Sequence, residues 1–195
     1  MILEMREVMN ENIGRHVLGI VGSPRRGGNT EILVDEVLRG AEEAGALTEK
    51  VILSELNVAP CRACDACGKT GERVQQDDMP ALLEKMQRSR VWVLGTPVYW
   101  WGPTAQFKAF LDRWYGVGRA TFAGRRVILT IPLGGGASYA RHTVGMLTDI
   151  VNYLGMKLVE TVLAPGAHGP GAVRGHADVL ATARRVGREA IEMPN

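Results

Sequence analysis

The sequence predicts one α/β domain whose parallel sheet carries helices on both faces. Short apolar runs alternate five times with segments whose apolar residues recur at helical spacing, and this alternation is typical of consecutive βα units. The chain has 195 residues, of which 46% are hydrophobic, so it can bury the core of one such domain. The expected architecture is therefore a five-stranded parallel sheet between two layers of helices.

Five apolar runs are predicted to form the strands. The run RVWVLGTP shows no alternation of apolar and polar residues, which indicates a strand that is covered on both faces. In chain order the predicted strands occupy residues 16–21, 49–56, 90–97, 125–133 and 157–165.

The segments that follow these runs are predicted to be helices. A proline at the first helical position, Pro103, is expected to begin the third of them, and Gly155 is expected to end the fourth. Asp77 and Asp78 precede the second helix, where acidic residues favour a helix start. The predicted helices occupy residues 30–44, 80–88, 103–114 and 139–154, and a last helix buries Val179, Ala183, Val186 and Ala190. Residues 1–15 are expected to be an extension of the domain formed by residues 16–195.

Composition and charge exclude several classes of function. The net charge is +2 and no basic stripe is visible, so no nucleic-acid partner is expected. The longest uncharged run, residues 91–107, is slightly short for a membrane span and contains glycine and proline, so no membrane association is expected. The amino-terminal residues lack the apolar core of a secretory signal. All three cysteines lie within seven residues, which favours a reducing compartment and predicts a cytoplasmic protein.

Three loops of unusual composition leave the predicted carboxyl ends of strands. They are GSPRRGGNT at residues 22–30, TPVYWWGP at residues 96–103 and PLGGGAS at residues 132–138. In a doubly wound sheet, ligands bind outside the carboxyl ends of the strands. We therefore expect one ligand site to be built from these three loops.

The first loop has the composition of an anion cradle. Small residues let backbone N–H groups approach a phosphate closely, and the helix that follows begins with unpaired amides. Ser23, Asn29 and Thr30 add short donors, and Arg25 or Arg26 adds positive charge. The loop matches neither the Walker A pattern nor G-x-G-x-x-G. The alternative interpretation is an ordinary βα turn in which Asn29 is the N-cap.

The other two loops suit a planar ligand. Tyr99, Trp100 and Trp101 are consecutive and cannot all point into the core, so at least one is expected to stack on a ligand or lie exposed. For Trp101, a contact between subunits is an equal alternative. The three successive glycines at residues 134–136 can offer backbone N–H donors to a ring that becomes negative on reduction.

The segments GSPRRGGNT, CRACDACGKTGERVQQDDM and GTPVYWWGPTAQFKAFLDRW together resemble the NAD(P)H-dependent FMN reductases of flavodoxin-like fold, near their iron–sulfur flavoprotein branch. The resemblance covers residues 16–165. It implies a three-layer sandwich with strand order 2-1-3-4-5, bound FMN, and NAD(P)H as the donor for reduction of a quinone, a flavin or another small acceptor. It also implies a homo-oligomer, a dimer or a tetramer. By resemblance, the FMN phosphate would contact Ser23, Arg25, Asn29 and Thr30, and the ring would contact Pro97, Val98, Tyr99, Trp100, Gly102, Gly134 and Gly135.

The cysteines depart from the resemblance. Cys61, Cys64 and Cys67 have the compact spacing that suits a four-iron cluster, but Arg73 stands where the iron–sulfur branch has a fourth cysteine. A loop that keeps its shape without a cluster is the favoured interpretation. Three alternative interpretations stay open: an iron–sulfur cluster with another fourth ligand, a zinc site and a low-pKa redox thiol.

Two other function classes remain open from the sequence. The chain could be a flavodoxin-type electron carrier that docks on a redox protein partner, or a thiol or metal redox sensor that uses the cysteine segment. No side-chain acid or base is required for hydride chemistry on a flavin, so no catalytic residue is nominated. Among the histidines, His168 is the strongest candidate for a contact with substrate.

Overall fold

The computed structural model describes residues 15–194. The predicted extension at residues 1–15 therefore lies outside the described residues, apart from Arg15. The strands are β1 His16–Val21, β2 Leu47–Ile52, β3 Val91–Gly95, β4 Arg126–Pro132 and β5 Lys157–Ala164, and the helices are α1 Asn29–Glu43, α2 Ala66–Thr70, α3 Met79–Arg88, α4 Ala105–Asp112, α5 Arg141–Tyr153 and α6 Ala177–Glu192.

The five strands form one parallel sheet in the order β2-β1-β3-β4-β5. This confirms the predicted fold class, including the 2-1-3-4-5 order that the family resemblance implied. All five residues of β3, the central strand, are buried, as its lack of alternation predicted. Among the helices described between residues 15 and 194, none has the length and hydrophobicity that a bilayer span requires.

The core consists of two layers, one on each face of the sheet. Successive side chains of a strand point to opposite faces, so Leu18 and Ile20 of β1 pack with α3, α4 and α5. Val17 and Val21 of the same strand pack against α1 and α6. Helices therefore cover both faces of the sheet, so a ligand can reach the sheet only at the ends of its strands.

Several predicted boundaries are wrong, because local turns and a helix cap begin or end the elements. Strand β2 stops at Ile52, since Leu53–Glu55 turn into a 3₁₀ helix. Helix α4 begins at Ala105 and not at Pro103, because Thr104 is its N-cap and accepts from the Phe107 amide. Helix α5 begins at Arg141, after a 3₁₀ turn at Ala137–Ala140. Its end before Gly155, which has a φ of 73°, is confirmed.

A buried ion pair joins the segment after β2 to the end of α4. The side chains of Asp77 and Arg113 are 3% and 4% exposed and pair through the carboxylate and the guanidinium. Asp77 also accepts from the amides of Ala59 and Met79, both at 3.2 Å. Burial alone would raise the pKa of Asp77, but the bonds from Arg113, Met79 and Ala59 hold that pKa below its usual 3.8.

Replacing Asp77 by asparagine should lower the free energy of unfolding by about 3 kcal/mol at neutral pH, because the buried Arg113 loses its counter-charge. The pKa of Asp77 is lower in the folded chain than in the unfolded one, so its stabilisation is present above about pH 4 and lost as the pH falls further. Urea unfolding of both proteins between neutral and acid pH should show the difference narrowing below about pH 4. The control is Asp78→Asn, whose carboxylate caps an exposed amide. A constant difference at all pH values would contradict the account.

Candidate functional site

A cavity of about 550 Å³ opens at the carboxyl edge of the sheet. It lies where the loops after β1, β3, β4 and β5 meet, which is the place that a doubly wound sheet offers to a ligand. Its volume is within the range of small-molecule sites. The cavity is lined by Ser23, Arg25, Asn29, Thr30, Pro97, Val98, Tyr99, Pro132, Leu133, Gly134, Ala167, His168, Gly169 and Pro170.

Hydrogen bonds hold the first two loops against each other at the base of this cavity. The Thr104 hydroxyl donates to the Gly22 carbonyl at 2.5 Å, and the Thr104 amide donates to the Thr96 hydroxyl at 3.2 Å. A Cβ atom on Gly22 would lie 2.5 Å from the Phe107 ring. Glycine is therefore required at the point where the loop after β1 passes over α4.

The loop at residues 22–30 presents Ser23 and Thr30 to the cavity and directs its two arginines to different sides. Ser23 accepts from the Arg25 amide at 3.2 Å, which folds the loop back on itself. Arg25 lines the cavity, whereas Arg26 pairs with Glu55 and with Glu31. The sequence did not distinguish Arg25 from Arg26 as the cation of the anion cradle. In the structure, Arg25 is the one available to a ligand.

Glu31 fixes this loop from below. Its carboxylate accepts from the Gly27 amide at 2.7 Å and from the Lys50 ammonium at 2.9 Å. Burial alone would raise the pKa of Glu31, but Lys50, the Gly27 amide and Arg26 together hold that pKa below its usual value. Glu31 is therefore ionised at neutral pH and anchors the loop. Its carboxylate does not line the cavity, so it adds no negative charge to the cavity wall.

Asn29 connects the loop after β1 to the loop after β5. Its side-chain amide donates to the carbonyls of Ala167 (2.9 Å) and Gly169 (2.8 Å), and its oxygen accepts from the Val173 amide at 3.1 Å. Both side-chain N–H bonds are therefore engaged within the protein. The N-cap of α1 is Gly28 and not Asn29, so the interpretation of Asn29 as an N-cap is wrong.

The aromatic residues after β3 form a tight turn at the rim. Tyr99 and Gly102 exchange backbone hydrogen bonds of 2.8 and 3.0 Å, while Trp100 and Trp101 have φ values of 50° and 63°. Each such conformation costs a non-glycine residue about 1–3 kcal/mol, and such residues cluster at functional sites. The turn leaves Trp100 92% exposed, and the Thr143 hydroxyl donates to the Trp101 carbonyl at 2.8 Å.

The predicted site residues are distributed over two adjoining cavities. Ser23, Arg25, Asn29, Thr30, Pro97, Val98, Tyr99 and Gly134 line the larger one. Trp100 and Gly135 line a smaller cavity of about 220 Å³, which shares Val98, Leu133 and Gly134 with the larger cavity. Gly102 lines neither of these cavities and serves as the partner of Tyr99 in the turn.

Two sets of residues outside the three predicted loops also line the cavities. Ala167, Gly169 and Pro170 lie in the glycine-rich loop after β5, beside His168, the histidine predicted to contact substrate. This loop also follows the carboxyl end of a strand, so the rule that ligands bind at those ends predicts it as part of the site. Tyr139 packs edge-on against Trp101, with ring centroids 6.1 Å apart. No sequence signal linked these two residues.

The cysteine segment forms a separate, smaller cavity. Cys61 and Cys64 are exposed, and Cys67 is half-buried against Gly116, where an added Cβ would lie 2.6 Å from the Cys67 sulfur. All three thiols are free. They line a cavity of about 40 Å³ together with Arg73 and the end of α4, and none of them lines the larger cavity.

The sheet order and the cavity at its carboxyl edge define a doubly wound protein of the flavodoxin-like class. The sequence model of the NADPH-dependent FMN reductases matches residues 15–169. The chain belongs to this family, and it is an FMN-dependent oxidoreductase that uses NAD(P)H.

Relatives agree with the family assignment, and a solved structure agrees with the fold. An iron-sulfur flavoprotein of Methanocaldococcus jannaschii is 32% identical over 191 residues, which are 91% of this chain and 96% of that protein. An iron-sulfur flavoprotein of Archaeoglobus fulgidus is 33% identical over 79% of this chain and 67% of its own length. The structure of an NAD(P)H:quinone oxidoreductase from Methanothermobacter marburgensis superposes with a TM-score of 0.73 at 22% identity, covering 89% of this chain and 98% of that one, a likeness of fold.

Proposed function

We propose that the larger cavity holds FMN and that the enzyme delivers electrons from NAD(P)H to a small acceptor, a quinone or a free flavin. The observation that carries the proposal is that three loops far apart in sequence bring eight of the residues expected around FMN into one cavity. When bound, FMN supplies the chemistry of taking two electrons from NAD(P)H and passing them on. The protein supplies binding, orientation and electrostatics.

The end of the cavity beside α1 suits the phosphate. Unpaired amides and the positive end of a helix dipole lie at the start of α1, and Ser23 and Thr30 add hydroxyl groups within the cavity wall. Arg25 is the charged side chain on this wall, and an arginine–phosphate contact is charge-assisted. These residues therefore fit the phosphate group.

The other end of the cavity suits the flavin ring. Val98 and Tyr99 offer an apolar wall, and Gly134 lines the same cavity. An added Cβ on Gly134 would lie 2.8 Å from the His168 imidazole. A backbone without a side chain at Gly134 lets its neighbours approach a ring edge closely, where N–H donors stabilise developing negative charge. We place the ring across the boundary of the two cavities, which share Val98 and Gly134.

Steady-state NADPH oxidation by the FMN-loaded protein tests the proposed reaction. A small quinone and free flavin should each support turnover without any protein partner, because donor and acceptor use the same open cavity in succession. Plots of reciprocal rate against reciprocal NADPH concentration should be parallel at different acceptor concentrations. Turnover that requires an added redox protein would contradict the proposal and favour the electron carrier.

Replacing Asn29 by alanine should weaken FMN binding about tenfold. The expected reason is indirect, since the variant loses the three bonds that hold the loop after β5 against the cavity, and each bond contributes about 1 kcal/mol. Amide hydrogen exchange should quicken at residues 167–173. The control is Asn152→Ala on the exposed side of α5. Unchanged exchange in that loop would contradict the positioning role of Asn29.

Replacing Cys61, Cys64 and Cys67 together by serine should leave the rate of FMN reduction by NADPH within about twofold. The cysteine cavity and the larger cavity share no lining residue, and flavin chemistry requires no thiol. Stopped-flow absorbance of the loaded triple variant measures this rate. A loss greater than tenfold, with FMN affinity unchanged, would favour the redox-sensor alternative, in which the thiols are the working site.

We further propose a homodimer that works in a reducing compartment, the cytoplasm. Trp100 is almost fully exposed beside the cavity mouth, and a neighbouring subunit would cover an apolar group of this kind. Two of the three free thiols are exposed, which suits a compartment that keeps thiols reduced. Light scattering over a dilution series measures the mass, and a monomer at micromolar concentration would contradict the dimer.

A further inference from the structure

The cysteine cavity is a second chemical site, and three thiols and one guanidinium converge on it. Cys61, Cys64, Cys67 and Arg73 all line its wall. The Arg73 Nη2 atom donates to the Gly116 carbonyl at 3.2 Å. Its Nε atom is buried and has no hydrogen-bond partner among the described residues. The guanidinium thus enters the cavity wall instead of extending into solvent.

The names of the two relatives raise the question whether this cavity fits an iron–sulfur cluster. A four-iron cluster is held by four cysteine thiolates, and the whole sequence contains three cysteines. In the part of the chain that the structure describes, no group of three or more His, Cys, Asp and Glu side chains is placed to hold a metal ion.

Arg73 cannot supply the missing fourth ligand. A guanidinium stays protonated under all ordinary conditions and has no lone pair with which to bind iron. The carboxylate of Asp77 is buried in its pair with Arg113. Asp65 and Asp112 line the cysteine cavity, but Asp112 pairs with Lys108, and among the described residues neither carboxylate forms a group with the thiols that is placed to hold a metal ion. The donor set therefore does not fit the group that the relatives' names imply.

We infer that Arg73 occupies the position a fourth ligand would need, and that this chain takes no four-iron cluster although its relatives are named for one. The three thiols remain as free side chains on a segment that the Asp77–Arg113 pair fastens to the fold. Electrons that enter from NAD(P)H then leave from the flavin directly to the acceptor. The inference concerns the cysteine cavity alone and does not depend on which acceptor is used.

Anaerobic reconstitution of the full chain tests the inference. The wild type and the variants Arg73→Cys, Arg73→Ala and Glu72→Cys are incubated with ferrous iron, sulfide and a thiol reductant and then desalted. Iron and acid-labile sulfide are measured per chain, together with the broad absorbance of a cluster. Glu72→Cys is the matched control, because it adds a fourth cysteine at the exposed neighbouring residue. FMN binding by each protein shows that it is folded.

The expected result is that Arg73→Cys gains about four irons and four sulfides per chain, while the other three proteins retain almost none. A wild type that binds about four irons overturns the inference, as does Arg73→Ala if it does so with only three thiolates. An Arg73→Cys variant that binds FMN but gains no more iron than Glu72→Cys overturns the assignment of Arg73. If Arg73→Cys does not fold, the iron content of the wild type and of Arg73→Ala still tests whether the chain takes a four-iron cluster. If FMN fails to bind or to be reduced, the flavin absorbance shows this independently of the iron and sulfide measurements.

Discussion

Replacing Arg25 by glutamate is expected to weaken FMN binding by two to three orders of magnitude. Arg25 is the cation of the loop at residues 22–30 that faces the larger cavity. Its loss removes a charge-assisted hydrogen bond, and the new carboxylate repels the phosphate. Together these effects amount to about 4 kcal/mol, which corresponds to roughly a thousandfold in Kd. Quenching of flavin fluorescence during titration of the flavin-free protein measures the affinity.

The neighbouring Arg26 provides a matched control for this experiment. It has the same side chain and lies in the same loop, but it pairs with Glu55 and Glu31 on the far side from the cavity. Arg25→Ala should cost about tenfold in FMN affinity, whereas Arg26→Ala should change it less than about threefold. Riboflavin, which lacks the phosphate, should bind to Arg25→Ala and to the wild type with similar affinity. Equal effects of the two alanine variants would contradict the placement of the phosphate.

Replacing Gly187 by valine should destabilise the fold by about 4 kcal/mol. Helices α1 and α6 cross so closely that a Cβ on Gly187 would lie 2.0 Å from the Val37 carbonyl oxygen. A Cβ on Gly40 would lie 1.9 Å from the Arg184 carbonyl oxygen. Neither backbone can move without separating the helices from the core, so the overpacking is not relieved by a side-chain rotation.

Urea unfolding measures this loss, and another helical glycine provides the control. Gly145 lies in α5, where an added Cβ meets nothing within 4 Å. Gly145→Ala should therefore raise the free energy of unfolding by about 0.5–1 kcal/mol, because alanine is the better helix former. If Gly187→Val unfolds at the wild-type urea concentration, the close crossing of α1 and α6 is wrong.

Much of the fold and of the cavity could be predicted because both follow from local patterns. Strands β1, β3 and β4 are largely apolar runs, so each can be recognised from its own residues alone. The loops at residues 22–30, 96–103 and 132–138 were recognisable since they follow those runs and contain glycine and aromatic residues. Topology then brings them to one edge, and the structure shows eight of the expected residues in one cavity.

The features that could not be predicted depend on contacts between distant residues. Asn29 is separated by 138 positions from the carbonyl of Ala167 that it binds, and nothing near Asn29 in the sequence signals that contact. Likewise, Arg25 and Arg26 are chemically equal neighbours, and only the position of Glu55 and Glu31 distinguishes them. Trp100 and Trp101 adopt the αL conformation, which tryptophan by itself disfavours. The tertiary structure imposes it, because the chain must close a tight turn at this point.

FMN in the larger cavity is expected to accept electrons from NADPH with no other protein present. The most direct test is to add NADPH without air to the wild-type protein loaded with FMN, while recording flavin absorbance. One equivalent of NADPH should bleach the bound flavin completely. Under the same conditions, Arg25→Glu should retain too little flavin to show the change. Bound flavin that stays yellow until a second protein is added would contradict the account.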